Sequence, residues 1–245
     1  MPHREKHYPE SRFGGFSDID GTMAFFTRVN ALADPAFVVL DVGCGSGVYG
    51  GDKVTARRNL RVLRGKVRRV IGIDVDEAAK DNPYVDDFLL IRDDDWTIDD
   101  DSIDLIVCDS VLEHVERPEV FFSEASRVLR VGGYICIRTT NACSYVGLFS
   151  KLIPNRYHPK VTGIVQTDRI EEDVFPTLYR CNTIRTLRAT LHRHGFSDCV
   201  VYGYEAEPSY LSFSRVAYRF GVLHRRFAPG YLRPIIFAFG LKSAP

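Results

Sequence analysis

The sequence predicts an α/β protein with a doubly wound, mostly parallel sheet. Short apolar runs rich in β-branched residues recur along the chain, each bounded by Gly, Asp or Asn. Nearly continuous apolarity is typical of strands that are buried on both faces of a parallel sheet. Helix-like stretches with an apolar stripe separate several of these runs, and alternating strand and helix units build a sheet with helices on both faces.

Seven runs are predicted as strands, and in chain order they span residues 37–42, 69–74, 87–91, 103–108, 133–139, 198–204 and 234–241. Two later stretches have the 3.6-residue apolar period of a helix. In residues 119–130 the glycine pair Gly132–Gly133 is expected to end the helix. In the second stretch we expect Asn182 or Thr183 to cap the helix and Gly195 to end it.

Length and composition indicate one globular domain spanning residues 1–245. Lys plus Arg and Asp plus Glu both equal 32, so the net charge is zero, which argues against binding to nucleic acid. None of the six cysteines forms a C-x-x-C pair, so no metal site is predicted. The first ten residues lack the apolar core of a signal peptide, and no run of 18 apolar residues occurs. A cytoplasmic location is therefore expected.

The stretch "DVGCGSG", residues 41–47, follows the first predicted strand and points to a nucleotide-like ligand. A dinucleotide loop has the pattern G-x-G-x-x-G, but here Val48 stands where that pattern has its third glycine. Asp41 would also repel a pyrophosphate, so an NAD-dependent oxidoreductase is disfavoured. A ligand with positive charge suits this acid better. Asp74, at the end of the second predicted strand, is placed to accept from ribose hydroxyls.

Four motifs, in order between about residues 37 and 141, resemble those of class I S-adenosylmethionine-dependent methyltransferases that act on small molecules. They are "VVLDVGCGSG", "VIGIDVD", "DSIDLIVCDSVLEHV" and "EASRVLRVGGYICIRTTN". The resemblance implies a seven-stranded Rossmann-like sheet of order 3-2-1-4-5-7-6 with strand 7 antiparallel. It also implies S-adenosylmethionine as the cofactor, whose ammonium and sulfonium groups are compatible with Asp41.

The same resemblance assigns cofactor contacts at three strand ends. The methionine part would be surrounded by Asp41, Gly43, Gly45 and Gly47. The ribose would be held at Asp74 and the adjoining Val75, and the sulfonium would lie beside Asp109 and Ser110.

Three further cofactor contacts are less fixed by the motifs. An acid after the third strand should meet the adenine amino group, and among Asp93, Asp94 and Asp95 we favour Asp94. Trp96 is as well suited to the core as to the adenine. Arg12 would pair with the methionine carboxylate or stay exposed.

The chemistry of the acceptor decides whether a base is needed. Methyl transfer is an in-line displacement that depends on alignment, and a base helps only a poor nucleophile such as a hydroxyl. His114 in "VLEHV" is the candidate base, and a packing role is its alternative. Ser110 stands where quinone-type O-methyltransferases carry a metal-binding glutamate. We expect O-methylation of a sugar, lipid or secondary metabolite; the alternative is a non-catalytic cofactor-binding partner protein.

Two segments outside these motifs are expected to shape the site. Residues 1–30 form a lid over the cofactor in this interpretation, because such segments often close over it in the resembled family. Residues 144–180 are an insertion expected to form the acceptor pocket, with Arg156, His158 and Tyr179 as candidate groups.

The stretch from residue 209 to 227 is predicted as a basic amphipathic helix. Its apolar side is expected to contain Leu211, Val216, Ala217, Phe220 and Leu223. Two interpretations stay open. The helix either connects the last two strands and packs on the sheet with solvated arginines, or meets an anionic membrane or lipid-linked acceptor through exposed arginines and tyrosines.

Overall fold

The computed structural model describes residues 4–92, 95–152 and 176–244, and its centre is one seven-stranded sheet. The strand order is β3-β2-β1-β4-β5-β7-β6, which confirms the predicted order. The strands are β1 (Val38–Val42), β2 (Arg69–Asp74), β3 (Asp87–Leu90), β4 (Ile103–Asp109), β5 (Leu129–Thr140), β6 (Phe196–Tyr204) and β7 (Ile235–Lys242).

Strand direction brings the candidate residues to one edge. The five strands β1 to β5 are parallel, whereas β7 pairs antiparallel with both β5 and β6. Strand β6 therefore runs in the same direction as β1 to β5, and six strands end at one edge, here called the carboxyl edge. In an open parallel sheet, ligands bind in the crevice outside this edge.

The described helices connect the strands and cover the sheet. They are α1 (Arg4–His7), α2 (Gly21–Leu32), α3 (Thr55–Arg61), α4 (Pro118–Val128), α5 (Tyr145–Leu152), α6 (Ile184–Arg193) and α7 (Arg215–Phe227). Asp20 caps α2 by accepting from the amides of Thr22 and Met23. Thr183 caps α6 as one of the two predicted candidates. None of the described helices is long and apolar enough to span a membrane.

Each face of the sheet carries its own hydrophobic core. On one face, α4 and α6 contribute Phe122, Val128 and Leu187 to a cluster with the strands. On the other face, α2 buries Phe25 and Val29 against β1, β4 and β5. The second half of the predicted lid is therefore an integral core helix, because its apolar side chains complete this second cluster.

Two predicted helix features are wrong in their details. Helix α4 ends at Val128, and Gly132 and Gly133 lie within β5, because the buried Leu129 already pairs with Ile103. The basic helix α7 does join β6 to β7, but its predicted apolar side does not pack on the sheet. It is anchored instead through Tyr218, which is buried in a small cluster with the N-terminal segment.

Candidate active site at the carboxyl edge

The glycine loop after β1 forms an open cradle. Gly43, Gly45 and Gly47 have φ angles of 69°, 54° and 78°, in the left-handed region that side chains rarely adopt. A Cβ at Gly43 would collide with Val111, whereas a Cβ at Gly45 would meet nothing within 4 Å. The backbone at Gly45 therefore faces open space, where a ligand can approach closely.

Asp74 holds this loop from the end of β2. Its side chain is buried, at 7% exposure, and its Oδ2 accepts from the amide of Gly45 at 2.9 Å. Its Oδ1 accepts from the amide of Asp76 at 3.0 Å. The adjoining Val75 is exposed. Asp74 Oδ2 thus lies beside the backbone of Gly45, which faces the open space of the cradle.

Asp41 lies half-buried near the end of β1, and among the described residues none hydrogen-bonds to its carboxyl group. Burial, followed by the negative charge of Asp109, raises the pKa of Asp41 from 3.8 to about 7. The guanidinium of Arg61 opposes this shift without cancelling it. A carboxyl group in this environment would gain from a positively charged neighbour.

This raised pKa predicts a pH-dependent affinity for S-adenosylhomocysteine. Its ammonium group favours ionised Asp41, so binding must remove the proton that Asp41 holds below pH 7. We expect calorimetry to show affinity rising by up to about tenfold per pH unit below pH 7 and levelling above it. Asp41→Asn should flatten this rise, and an unchanged slope in that variant would contradict the assignment.

The same raised pKa sets the direction of a stability effect. Folded Asp41 binds its proton more tightly than the unfolded chain does, so ionised Asp41 destabilises the fold. This contribution reduces stability as pH rises from about 4 to about 7, and Asp41→Asn should remove it.

At the end of β4, Asp109 forms a forked ion pair with Arg138 of β5. The Nε and Nη2 atoms of Arg138 each donate to one oxygen of Asp109, both at 2.6 Å. Burial raises the pKa of Asp109, but the charge and hydrogen bonds of Arg138 outweigh burial and lower it overall. Asp109 is one of the two residues predicted to lie beside the sulfonium, and both of its carboxylate oxygens accept hydrogen bonds from Arg138. The next residue, Ser110, has a strained φ of 62°.

Two side chains of α2 also contact Arg138. Arg138 Nη1 donates to Thr22 Oγ1 at 2.8 Å, which ties β5 to the start of α2. The guanidinium carbon of Arg138 also lies 5.5 Å from the ring centroid of Phe25, within cation–π range. Helix α2 therefore contributes to the site from a fixed position in the core.

Arg61 of α3 is a site residue that sequence analysis missed. Its Nη2 lies 3.5 Å from Asp109 Oδ2, and its guanidinium carbon lies 4.5 Å from the ring centroid of Tyr49. Its Nε is buried and has no hydrogen-bond partner among the described residues. Arg12, in contrast, is exposed, and its Nε donates to the carbonyl of Pro9. Arg61 is thus the better placed of the two to meet a carboxylate.

The adenine assignments have different outcomes. Asp93 and the favoured Asp94 lie outside the described residues, and Asp95 is exposed. Trp96 is only 3% exposed and packs edge-on against Phe121 of α4, with ring centroids 5.3 Å apart. Because almost no surface of the Trp96 ring remains for a ligand, the structure favours its core role over a place beside the adenine.

His114 and Glu113 are both engaged by neighbouring groups. His114 Nδ1 lies 3.0 Å from the carbonyl oxygen of Pro176. Buried Glu113 accepts from the hydroxyl groups of Thr139 and Thr140 at 2.7 and 3.1 Å. Within residues 4–92, 95–152 and 176–244, no group of three His, Cys, Asp or Glu side chains could hold a metal ion.

A second histidine stands at the carboxyl edge, and sequence analysis missed it. His224 of α7 has its Nδ1 2.9 and 3.1 Å from the two oxygens of Glu205, which directly follows β6 and is buried. Tyr145, at the start of α5 beyond β5, contacts the His224 ring edge-on at 5.1 Å. The partners are 19 residues apart, so no local motif could have shown the pair.

Arg156 and His158 of the predicted acceptor pocket lie outside the described residues. Tyr179 is described and has a left-handed φ of 52°. Its amide donates to the carbonyl oxygen of Glu113 at 3.1 Å, which places Tyr179 beside the turn after β4.

The sheet order and the acidic glycine loop are those expected of a methyltransferase, and a comparison with known protein families identifies the same class. The methyltransferase domain family matches residues 19–199, which is most of the chain. The chain therefore belongs to the class I S-adenosylmethionine-dependent methyltransferases.

Individual proteins of this class share part of the sequence or the fold. A protein of Mycolicibacterium smegmatis named "probable S-adenosylmethionine-dependent methyltransferase" is 36% identical over 115 residues. That match covers 44% of this chain and only 39% of the relative.

Two solved structures share the fold at low sequence identity. A methyltransferase of Archaeoglobus fulgidus has a TM-score of 0.56 and 17% identity, covering 95% of this chain and 97% of that one. Geranyl diphosphate C-methyltransferase of Streptomyces coelicolor has a TM-score of 0.52 and 14% identity, covering 90% and 78%. The latter structure contains S-adenosyl-L-homocysteine and geranyl diphosphate.

Proposed function

We propose that this protein transfers a methyl group from S-adenosylmethionine to a hydroxyl oxygen of a small molecule, such as a sugar, lipid or secondary metabolite. The observation that carries this proposal is the cradle itself. Two acids, Asp41 and Asp74, flank a glycine loop whose backbone at Gly45 is open to a ligand. An acidic cradle suits a cofactor with an ammonium and a sulfonium group and no phosphate.

The described residues offer candidate partners for three polar groups of this cofactor: the ribose, the ammonium and the carboxylate. Asp74 is positioned to accept from the ribose hydroxyls, since its oxygens border the cradle. Asp41 is suited to the ammonium, and the unpartnered Nε of Arg61 to the carboxylate. The bound cofactor supplies an electrophilic methyl group on a positively charged sulfur. The protein supplies alignment, which accounts for much of the rate in such displacements.

A hydroxyl acceptor also needs somewhere for its proton to go. As the new oxygen–carbon bond forms, the sulfur–carbon bond breaks, its electron pair stays on a neutral thioether, and the hydroxyl proton leaves. His224 is suited to take that proton at Nε2, because Glu205 fixes the ring through Nδ1. Glu205 is a positioning residue in this proposal, because it orients the His224 ring and does not itself touch the acceptor. His114 remains the alternative base.

The test is a methylation assay with methyl-labelled S-adenosylmethionine and fractionated small-molecule extracts. We expect a labelled product that carries the methyl group as an ether and is stable to mild base, unlike a methyl ester. His224→Ala should lower turnover by about 10²–10⁴ and leave the affinity for S-adenosylhomocysteine unchanged. Mass spectrometry of the product would identify the methylated atom.

His114→Ala is the matched comparison, since it removes the other histidine at the same edge of the sheet. If His114→Ala loses turnover and His224→Ala does not, His224 is not the base and His114 takes that role. If no extract yields a labelled product although S-adenosylhomocysteine binds, the alternative of a non-catalytic cofactor-binding partner is favoured.

A further inference from the structure

The apolar face of α7 points away from the part of the protein that the structure describes. Val216, Phe220, Leu223 and Phe227 are 77%, 57%, 55% and 74% exposed. Their spacing of four, three and four residues places them on one side of the helix. Phe213, just before α7, is also exposed. Contiguous exposed apolar surface of this kind marks an interaction site in a folded protein.

The opposite side of α7 already anchors the helix. Tyr218 is buried in a cluster with Tyr8 and Ile19 of the N-terminal segment. Gly221 lies so close to Pro208 that a Cβ at this glycine would collide with the proline ring. The exposed face is therefore not required for packing α7 against the described residues.

Basic side chains border this apolar face. Arg215, Arg219 and Arg226 are exposed and fall along one side of the stripe, at positions separated by four and seven residues. None of them forms an ion pair with a described residue. Residues 209–233 contain five arginines and no acidic residue, although the chain as a whole is neutral. The charge of this segment is thus concentrated beside the exposed phenylalanines.

We infer that α7 binds an anionic lipid membrane. Helices that lie in a membrane interface have this combination of an aromatic and aliphatic face with basic residues beside it. Phe220 and Phe227 enter the boundary between headgroups and acyl chains, and the three arginines meet lipid phosphates. His224 lies on the same helix, so the bound membrane would bring lipid-borne molecules close to the Glu205–His224 pair.

The test is co-sedimentation of the whole protein with vesicles of phosphatidylcholine alone or mixed with phosphatidylserine. We expect binding to the mixed vesicles, weakened by high salt, and little binding to the neutral ones. Arg215→Gln with Arg219→Gln should weaken binding roughly thirtyfold, since each basic residue near such a surface contributes about fivefold. Phe220→Ser with Phe227→Ser should weaken it at least tenfold, through loss of apolar burial.

A matched control separates binding through α7 from a general attraction between positively charged side chains and anionic vesicles. Arg28→Gln with Arg68→Gln removes the same charge from exposed positions outside α7 and should leave binding within about twofold. Equal losses in the two arginine pairs would overturn the inference, as would wild-type protein that does not sediment. A concentration-dependent dimer abolished by the Phe220→Ser pair, without vesicle binding, would instead assign the face to a second copy. No cofactor is used, so these results are independent of the proposed activity.

Discussion

Arg138→Met is expected to lower the free energy of unfolding by about 3–5 kcal/mol, the usual cost of removing one partner of a buried ion pair. The side chains of Arg138 and Asp109 are only 11% and 9% exposed. Without Arg138, the Asp109 carboxylate would remain buried with only the longer contact to Arg61 and a hydrogen bond from the Ser110 hydroxyl at 3.2 Å. Urea unfolding measures this loss as a lower midpoint, with an unchanged slope of the unfolding free energy against urea concentration.

The pair Arg130–Asp104 supplies a control on the same two strands. Its nitrogen–oxygen distance is also 2.6 Å, but the Arg130 side chain is 43% exposed, so solvent screens the interaction. Arg130→Met should therefore cost about 1 kcal/mol or less. Adding Asp109→Leu to Arg138→Met should recover much of the lost stability, because no buried charge is then left unpaired. Similar costs for the two methionine variants would show that burial does not distinguish the pairs.

The sheet was predictable because its strands are chemically distinct from their surroundings. Buried parallel strands need apolar side chains on both faces, and runs such as residues 69–74 therefore stand out from the polar loops beside them. Helix ends were harder to predict. The glycine pair at 132–133 has the chemistry of a helix end, yet β5 begins at Leu129, since pairing with β4 competes successfully for this segment.

Helix α7 shows a different limit of sequence patterns. Its period was predicted correctly, but a period cannot tell which side of a helix is buried. One of the two interpretations of the sequence had the large apolar stripe packed on the sheet. Instead, Tyr218 and Gly221 form the buried side, because their shapes fit the N-terminal segment and Pro208. The exposed stripe became visible only with the three-dimensional arrangement.

In the candidate site, contiguous motifs were informative and distant pairs were not. The glycine loop and Asp74 are found together at the carboxyl edge, as the strand-end positions predict. Arg138, Arg61 and the Glu205–His224 pair have no such signature. Arg138 and Arg61 lie 29 and 48 residues from Asp109, and each arginine resembles any other until the fold brings it to the acid.

The largest expected effect on ligand binding is that of Asp74→Asn on the affinity for S-adenosylhomocysteine. The substitution keeps the size of the side chain but removes the charge and one acceptor oxygen that the ribose hydroxyls would use. Hydrogen bonds to charged groups contribute about 1.5–3 kcal/mol, so the dissociation constant should rise about 10- to 100-fold. Isothermal calorimetry on folded protein measures this change directly.

Asp76→Asn is the matched control for that measurement. It makes the same change of charge two residues further along, at a side chain whose Oδ1 accepts from the amide of Ala78 at 2.9 Å. An asparagine oxygen can still accept this bond, so affinity should stay within about twofold of wild type. The proposed cradle predicts that the wild type and Asp76→Asn bind S-adenosylhomocysteine tightly. It predicts that Asp74→Asn binds it 10- to 100-fold more weakly. Equal affinity in all three proteins, or binding of NAD in place of S-adenosylhomocysteine, would contradict it.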